Sequence, residues 1–123
     1  MIFITGGAYQ GKIRYARSLG ARDEDIIHGG EFCALPQHIS CIAEYHLHIR
    51  RQIEAGIDPA EAARALDADI VIMDEIGCGI IPLDREERIW REQTGIVGCI
   101  LAERADTVVR LVCGIPQTIK EKL

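Results

Sequence analysis

No stretch of this 123-residue sequence approaches the ~18–20 apolar residues that a membrane-spanning helix needs. Its N-terminus lacks the basic segment and long apolar run of a secretory signal, so a cytoplasmic location is expected. The five cysteines, Cys33, Cys41, Cys78, Cys99 and Cys113, form no CxxC pair and are odd in number. That argues against a zinc site or a disulfide framework and for reduced thiols packed in the protein. Positive charge is also short: 14 Lys and Arg stand against 19 Asp and Glu, a net charge of −5. A nucleic-acid backbone is therefore a poor partner, although a local cationic pocket for a small anion fits such a balance. With 12 Gly and 4 Pro the chain has too few breakers to be disordered, and it carries no internal repeat, linker or low-complexity segment. What is present, 48% hydrophobic and 27% charged residues, is the composition of one globular domain over 1–123.

Apolar runs alternate with helical segments along the chain. Ile2–Thr5 predicts a buried strand, and Lys12 to about Leu19 a helix stopped by Gly20. Asp25–His28 predicts a short strand, and Glu31–Ser40, with Pro36 and no period, a loop. Helical spacing over Cys41–Ala55 places Ile42, Tyr45, Ile49 and Ile53 on one face. Asp58-Pro59-Ala60-Glu61 starts a helix through Leu66, with a capping Asp and Pro at the first helical position. Ile70–Met73 predicts a central strand covered on both faces. Ile76–Pro82 is a glycine-containing loop, and Asp84 with Glu87 opens a helix to about Arg104. Thr107–Cys113 predicts the last strand, closed by Gly114 and Pro116, with a frayed tail from Lys120. Such alternation implies an α/β fold of three layers around a mostly parallel sheet.

Directly after the first strand, Gly6-Gly7-Ala8-Tyr9-Gln10-Gly11-Lys12-Ile13 matches G-x-x-x-x-G-K. Glycines let such a loop turn its amide N–H groups onto a phosphate, the following helix adds its positive end, and Lys12 supplies a point charge. The chemistry implied is nucleoside triphosphate binding, ATP or GTP. Ile13 stands where the pattern has Ser or Thr, whose hydroxyl normally holds Mg2+ between the outer phosphates. Any Mg2+ is therefore held more weakly or by other oxygens. Asp74-Glu75 ends the central strand, where a phosphate-loop fold places its acids. Asp74 is the candidate metal residue, and Glu75 the candidate to orient or deprotonate a nucleophile.

The histidines read more plainly. His46 shares the apolar helix face and fits a hydrogen-bonded core edge. His48 pairs with Glu44 on a solvated face, His28 ends a strand that lines the cleft in one reading, and His38 lies in an exposed loop. Arg50, Arg51, Arg85 and Arg88 read as solvated, with a phosphate contact by one of them as the alternative. Trp90 falls one position off the face of Ile89, Gln93, Ile96 and Ile100, which suits packing against a neighbour or subunit.

Two blocks resemble the adenosylcobinamide kinase / adenosylcobinamide-phosphate guanylyltransferase family. One is Ile4–Ala8 through Gly11-Lys12; the other is Asp74-Glu75-Ile76-Gly77-Cys78-Gly79-Ile80-Ile81-Pro82, the more family-specific of the two. Trp90-Arg91 through Gly95, Ala105-Asp106 and Gly114-Ile115-Pro116 to Lys120 extend the likeness to about half the chain. The resemblance implies a P-loop fold, cytoplasmic cobalamin biosynthesis, phosphorylation of a corrinoid (adenosylcobinamide) side-chain hydroxyl, and a homo-oligomer. Lys12, Asp74 and Glu75 are then the catalytic set. Departures are Ile13 for Ser, Asp74 for an uncharged polar residue, Gly98-Cys99 for Asn-Gln, and a shorter middle. The family's guanylylated His precedes an Arg-Pro and a Trp. Here His46 is followed by Arg50 with no Pro, so the guanylyltransferase half is the weaker part of the implication. A shortened relative that binds nucleotide without turning it over is the alternative.

Overall fold

In the computed structural model, residues 1–76 and 84–122 are described. Among these residues, six strands and four α-helices follow the alternation of the sequence. In chain order they are β1 (Ile2–Gly6), α1 (Lys12–Ser18), β2 (Ile26–His28), β3 (Ile39–Ala43), α2 (Tyr45–Glu54), α3 (Pro59–Ala65), β4 (Ala68–Asp74), α4 (Arg85–Arg104), β5 (Thr107–Val112) and β6 (Ile115–Glu121). The sheet order is β2-β3-β4-β1-β5-β6, parallel throughout except for β6 against β5. This is the expected α/β architecture, with helices on both faces of a mostly parallel sheet.

Alternate residues of the central strands feed two cores. Phe3, Val71, Met73 and Val108 face α2, α3 and α4, where they meet Tyr45, Ile49, Ala63, Val97 and Leu101. Ile4, Ile70, Ile72, Val109 and Leu111 face the other way, onto Ala16 of α1. Burying each such aliphatic chain contributes about 1.5–3 kcal/mol, which is why β1 and β4 read as unbroken apolar runs. Among the described residues, no helix is long and apolar enough to cross a membrane.

Two strands differ from the sequence reading. Ile39–Ala43 is β3, paired with β2 and β4, where a loop running into a helix is expected. Covered on both faces, it shows no alternation, and its apolar residues continued the period of α2. The helix begins only at Tyr45, after Glu44 takes a left-handed turn at φ 55. The second difference is β6. Cys113 and Gly114 both have positive φ, the two-residue turn whose twist suits a hairpin, and Val112 pairs with Ile115. Because β6 is an exposed edge strand, it has no buried face to pattern it, and an edge tolerates Pro116.

The packing face of α4 also differs from expectation. Thr94, Val97 and Leu101 are buried, whereas Ile96 is exposed. Trp90 lies on the packed side, donating from Nε1 to the His46 carbonyl at 2.7 Å, so its neighbour is α2 of the same chain. A Cβ on Gly98 would come within 3.2 Å of Met73 Cε, so the glycine permits close helix–sheet approach there. Of the cysteines, Cys41 is buried, its thiol pushed up to about 11 by burial, whereas Cys33, Cys99 and Cys113 are exposed rather than packed. Cys78 and the loop expected at Ile76–Pro82, beyond Ile76, lie outside the described residues.

The helix starts are where the caps are. Asp58 Oδ1 accepts from Ala60 N at 3.0 Å with Pro59 at the first position, and Asp84 Oδ1 accepts from Glu86 N at 2.9 Å. Glu87 does not close a cap; it pairs with Arg50 on α2 at 2.7 Å. Asp58→Ala is expected to cost about 1 kcal/mol, the usual value of an N-cap. A urea melt checks it: the midpoint should fall with the slope unchanged.

Candidate phosphate-binding site

The site is built by strand register. Parallel pairing sets Gly6 beside Asp74 on one side and beside Leu111 on the other, so the loop leaving β1 starts level with the acid that ends β4. Glu75 N donates to Gly6 O at 2.8 Å and extends that pairing by one residue. Gly6 has φ +148, and a Cβ there would sit 2.6 Å from the Leu111 carbonyl oxygen. No other residue fits that position without moving β5. Gly11, at φ +83, makes the turn into α1.

Between these glycines the loop curves around Lys12. The buried ammonium donates to Gly7 O at 2.5 Å and lies 2.7 Å from Asp74 Oδ1. An ammonium has three N–H bonds, and these contacts use two, leaving one for an anion. The cavity in front of it, about 330 Å3, is bordered by Ala8, Gln10, Lys12, Arg14, Glu44 and Asp74. Ile13 borders it too, half-buried against the α1-side core, and presents hydrocarbon where a hydroxyl would offer oxygen. Ala8 to Ile13 of the expected loop thus border the space in front of the Lys12 amine, and Gly7 lends that amine its carbonyl.

His46 is a buried, hydrogen-bonded histidine at the core edge, as read, and that edge adjoins this cluster. Its Nδ1 accepts the Asp74 backbone N–H at 3.1 Å, and its Nε2 lies 3.5 Å from Asp74 Oδ2. Accepting at Nδ1 puts the ring proton on Nε2, facing the carboxylate. Burial lowers its pKa, opposed by Asp74 and Glu44, in keeping with a ring that accepts at Nδ1. Trp90 holds the helix beneath it, and Arg50 covers the Trp90 ring at 4.7 Å while pairing with Glu87. The strand β3 is what makes this possible, because it delivers α2 to the carboxyl end of the sheet.

Glu75 has a different setting. Arg110 of β5 grips it with two parallel bonds, Nε to Oε1 at 2.8 Å and Nη2 to Oε2 at 3.1 Å. It borders a second, apolar cavity of about 320 Å3 between β1, β4 and α4, with Phe3, Met73, Thr94 and Cys99 on its walls. Asp74 borders both cavities. Arg110 was not singled out in the sequence, although the signal was there: it is the one charge inside Thr107–Val112.

The other histidines fall elsewhere. His48 is buried, its Nδ1 2.6 Å from Phe32 O, and not solvated beside Glu44. Glu44 precedes the helix and its Oε2 lies 3.9 Å from His28 Nδ1 instead. His38 is exposed between Asp67 and Asp69, which raise its pKa. Arg51 is exposed, as read, and donates to Gly30 O at 2.7 Å.

Among the described residues, no group of three or more His, Cys, Asp or Glu is arranged to hold a metal. Mg2+ in phosphate sites needs less, one or two carboxylates completed by phosphate oxygens and water. Asp74 meets that requirement as one donor; Ile13 cannot be another.

His46 and His48 have folded pKa values below the ordinary 6.5, burial being the first cause in both. The unfolded chain thus takes up protons that the folded one refuses, so stability is full above about pH 6.5 and declines as pH falls further. Melting temperatures measured between pH 8 and 5 should show that decline, and His48→Asn should flatten it.

No curated protein matches this chain. A family model described as cobinamide kinase / cobinamide phosphate guanyltransferase matches residues 37–119, about two thirds of the sequence. The matched segment runs from before β3 into β6 and contains His46, Asp74, Glu75 and Arg110, but it begins beyond the loop. The loop and the match are therefore separate observations. Strand order, a glycine loop after β1, an acid ending β4 and the match over the rest agree: this chain belongs to the cobinamide kinase / cobinamide phosphate guanyltransferase family and has its P-loop NTPase fold.

Proposed function

We propose that this protein binds a nucleoside triphosphate, ATP or GTP, on the loop of residues 6–13 and transfers its terminal phosphoryl group to a side-chain hydroxyl of a cobinamide-type corrinoid. The observation that carries the reading is the buried Lys12 ammonium, held by Gly7 O and Asp74 at the mouth of the loop with one N–H to spare.

In this reading the loop amides position the phosphates, and Lys12 offsets the charge that develops on the transferred group. The acceptor oxygen bonds to the terminal phosphorus as the bridging P–O bond breaks. Nucleoside diphosphate leaves, and the hydroxyl proton passes to solvent. Glu75 faces the apolar cavity, which suits a large apolar acceptor. With both carboxylate oxygens already bonded by Arg110, Glu75 is held in place, and it acts by accepting a hydrogen bond from the acceptor hydroxyl and orienting it. Mg2+, when bound, neutralises phosphate charge, with Asp74 as its protein donor. A cytoplasmic setting and a homo-oligomer accompany this reading. The guanylyl transfer known from the family's description is left out of it, because His46 is buried and its Nδ1 is taken by the Asp74 backbone N–H.

Ile13 favours a second reading, a family member that binds nucleotide without turnover. The two separate on one experiment: titration with ATP and GTP, with and without Mg2+, followed by assay of phosphate transfer to cobinamide. Transfer supports the kinase, tight binding without transfer supports the second reading, and no binding removes both.

Lys12→Ala should remove measurable nucleotide affinity, a loss of about 2–5 kcal/mol for one partner of a buried charge pair. Melting is recorded alongside, since Asp74 loses its ion pair in that variant. Ile13→Thr should restore an oxygen at the metal side and raise Mg2+-dependent affinity by about an order of magnitude, seen by calorimetry with and without the ion.

A further inference from the structure

A cavity of about 400 Å3 lies between the segment 33–37, α2 and α3. Its walls include residues that lead into β3 and β4, so it sits at the amino ends of those strands. Gly6 and Asp74 stand at the carboxyl ends of theirs. Among the described residues it shares no wall with the Lys12 cavity or with the one that Glu75 borders. Its size falls within the range of small-molecule sites.

Tyr45, His48 and Gln52 border it from one face of α2, at i, i+3 and i+7, and all three are buried. His48 has a partner, since its Nδ1 lies 2.6 Å from Phe32 O. The Tyr45 hydroxyl and Gln52 Oε1 are buried with no hydrogen-bond partner among the described residues. A polar atom left in that state destabilises the fold, and Phe or Leu would fill much the same space without the cost. Burial pushes the Tyr45 hydroxyl up to about 12, so it keeps its proton and can donate it to a hydrogen bond. Gln52 Oε1 can only accept.

The remaining wall is largely hydrocarbon, with Leu35, Pro36, Ile57 and Leu66 on it. Its one carboxylate, Asp67, is exposed, and among the described residues no Lys or Arg borders it. An anion would meet no cation there and would face Asp67. A cation would have to leave water for a wall with no buried counter-charge. The wall therefore suits an uncharged, mostly apolar molecule with an acceptor for Tyr45 and a donor for Gln52. Those two residues are two turns of α2 apart, about 10 Å along its axis, so the polar groups of the ligand stand at opposite ends of its hydrocarbon.

We propose that this cavity binds a small uncharged amide with the chemistry of a capped amino acid: one carbonyl accepts from the Tyr45 hydroxyl, an N–H donates to Gln52 Oε1, and hydrocarbon between them packs on Leu35 and Ile57. The inference is independent of the reading of residues 6–13 as a nucleotide cradle.

The probe is N-acetyl-leucinamide. Its comparators are N-acetyl-leucine, which carries a carboxylate, and leucinamide, which carries an ammonium group. An NMR chemical-shift titration of the whole chain should give a Kd of about 1 mM for the probe, ordinary for about twelve non-hydrogen atoms, and values about tenfold weaker for both charged analogues. Tyr45→Phe and Gln52→Leu should each weaken the probe about tenfold. Each should melt at or above the native temperature, because an unpaired polar atom has been removed. Should either fail to fold, Ala65→Phe fills the cavity from an exposed position on α3 and should abolish binding. Iodoacetamide labelling of Cys33, an exposed wall residue, locates the site: the probe should slow it and leave Cys113 labelling unchanged. Absence of binding to the native protein, with the cavity taking up water only, overturns the proposal. Equal affinity for the charged analogues overturns it as well, and so does full affinity in the folded variants or unchanged Cys33 labelling at saturating probe.

Discussion

Parallel pairing of β1 with β4 is the constraint on which the rest depends. It sets Gly6 level with Asp74 and so fixes where the Lys12 ammonium can find its counter-charge. A register shifted by one residue would turn Asp74 toward the opposite face and leave the ammonium buried without a carboxylate. Two apolar cores hold the register, since each strand drives alternate side chains into both. The ion pair is thus positioned by hydrophobic burial, and it would be a poor source of stability by itself.

Around that pair the molecule divides its polar groups by side. Toward α2 and α4, His46 is fixed by the Asp74 backbone, and Trp90, Arg50 and Glu87 form a belt that ties the two helices together. Toward β5 and β6, Arg110 holds Glu75 while the hairpin turn holds Gln10. The loop is therefore supported from both directions by side chains that are themselves bonded. Such support limits reorganisation, which is what the proposed electrostatic stabilisation of phosphate chemistry requires.

Family membership and the loop complement one another. The matched segment supplies the acid-ended strand, the Arg110 partner and α4, and the part before it supplies the glycine-lysine loop. Ile13 is where this chain departs from the usual chemistry of such a loop. Its packing against the α1-side core shows why an aliphatic residue is comfortable there: half of the side chain is already turned inward.

The sequence alone determined those features that depend on local signals. The glycine-lysine loop, the caps at Asp58 and Asp84, the apolar strands β1 and β4 and the position of Asp74 after the latter can all be read within a few residues of one another. Tertiary structure decided what depends on partners far along the chain. Whether Ile39–Ala43 is strand or helix depended on β2 and β4 flanking it, because a doubly covered strand has no period. Edge exposure hid β6 in the same way. His46 could be brought to Asp74 only by β3, and Arg110 to Glu75 only by the pairing of β1 with β5. A side chain's chemistry is local, but its counter-charge is chosen by sheet order, and sheet order is settled by which faces the whole chain can bury together.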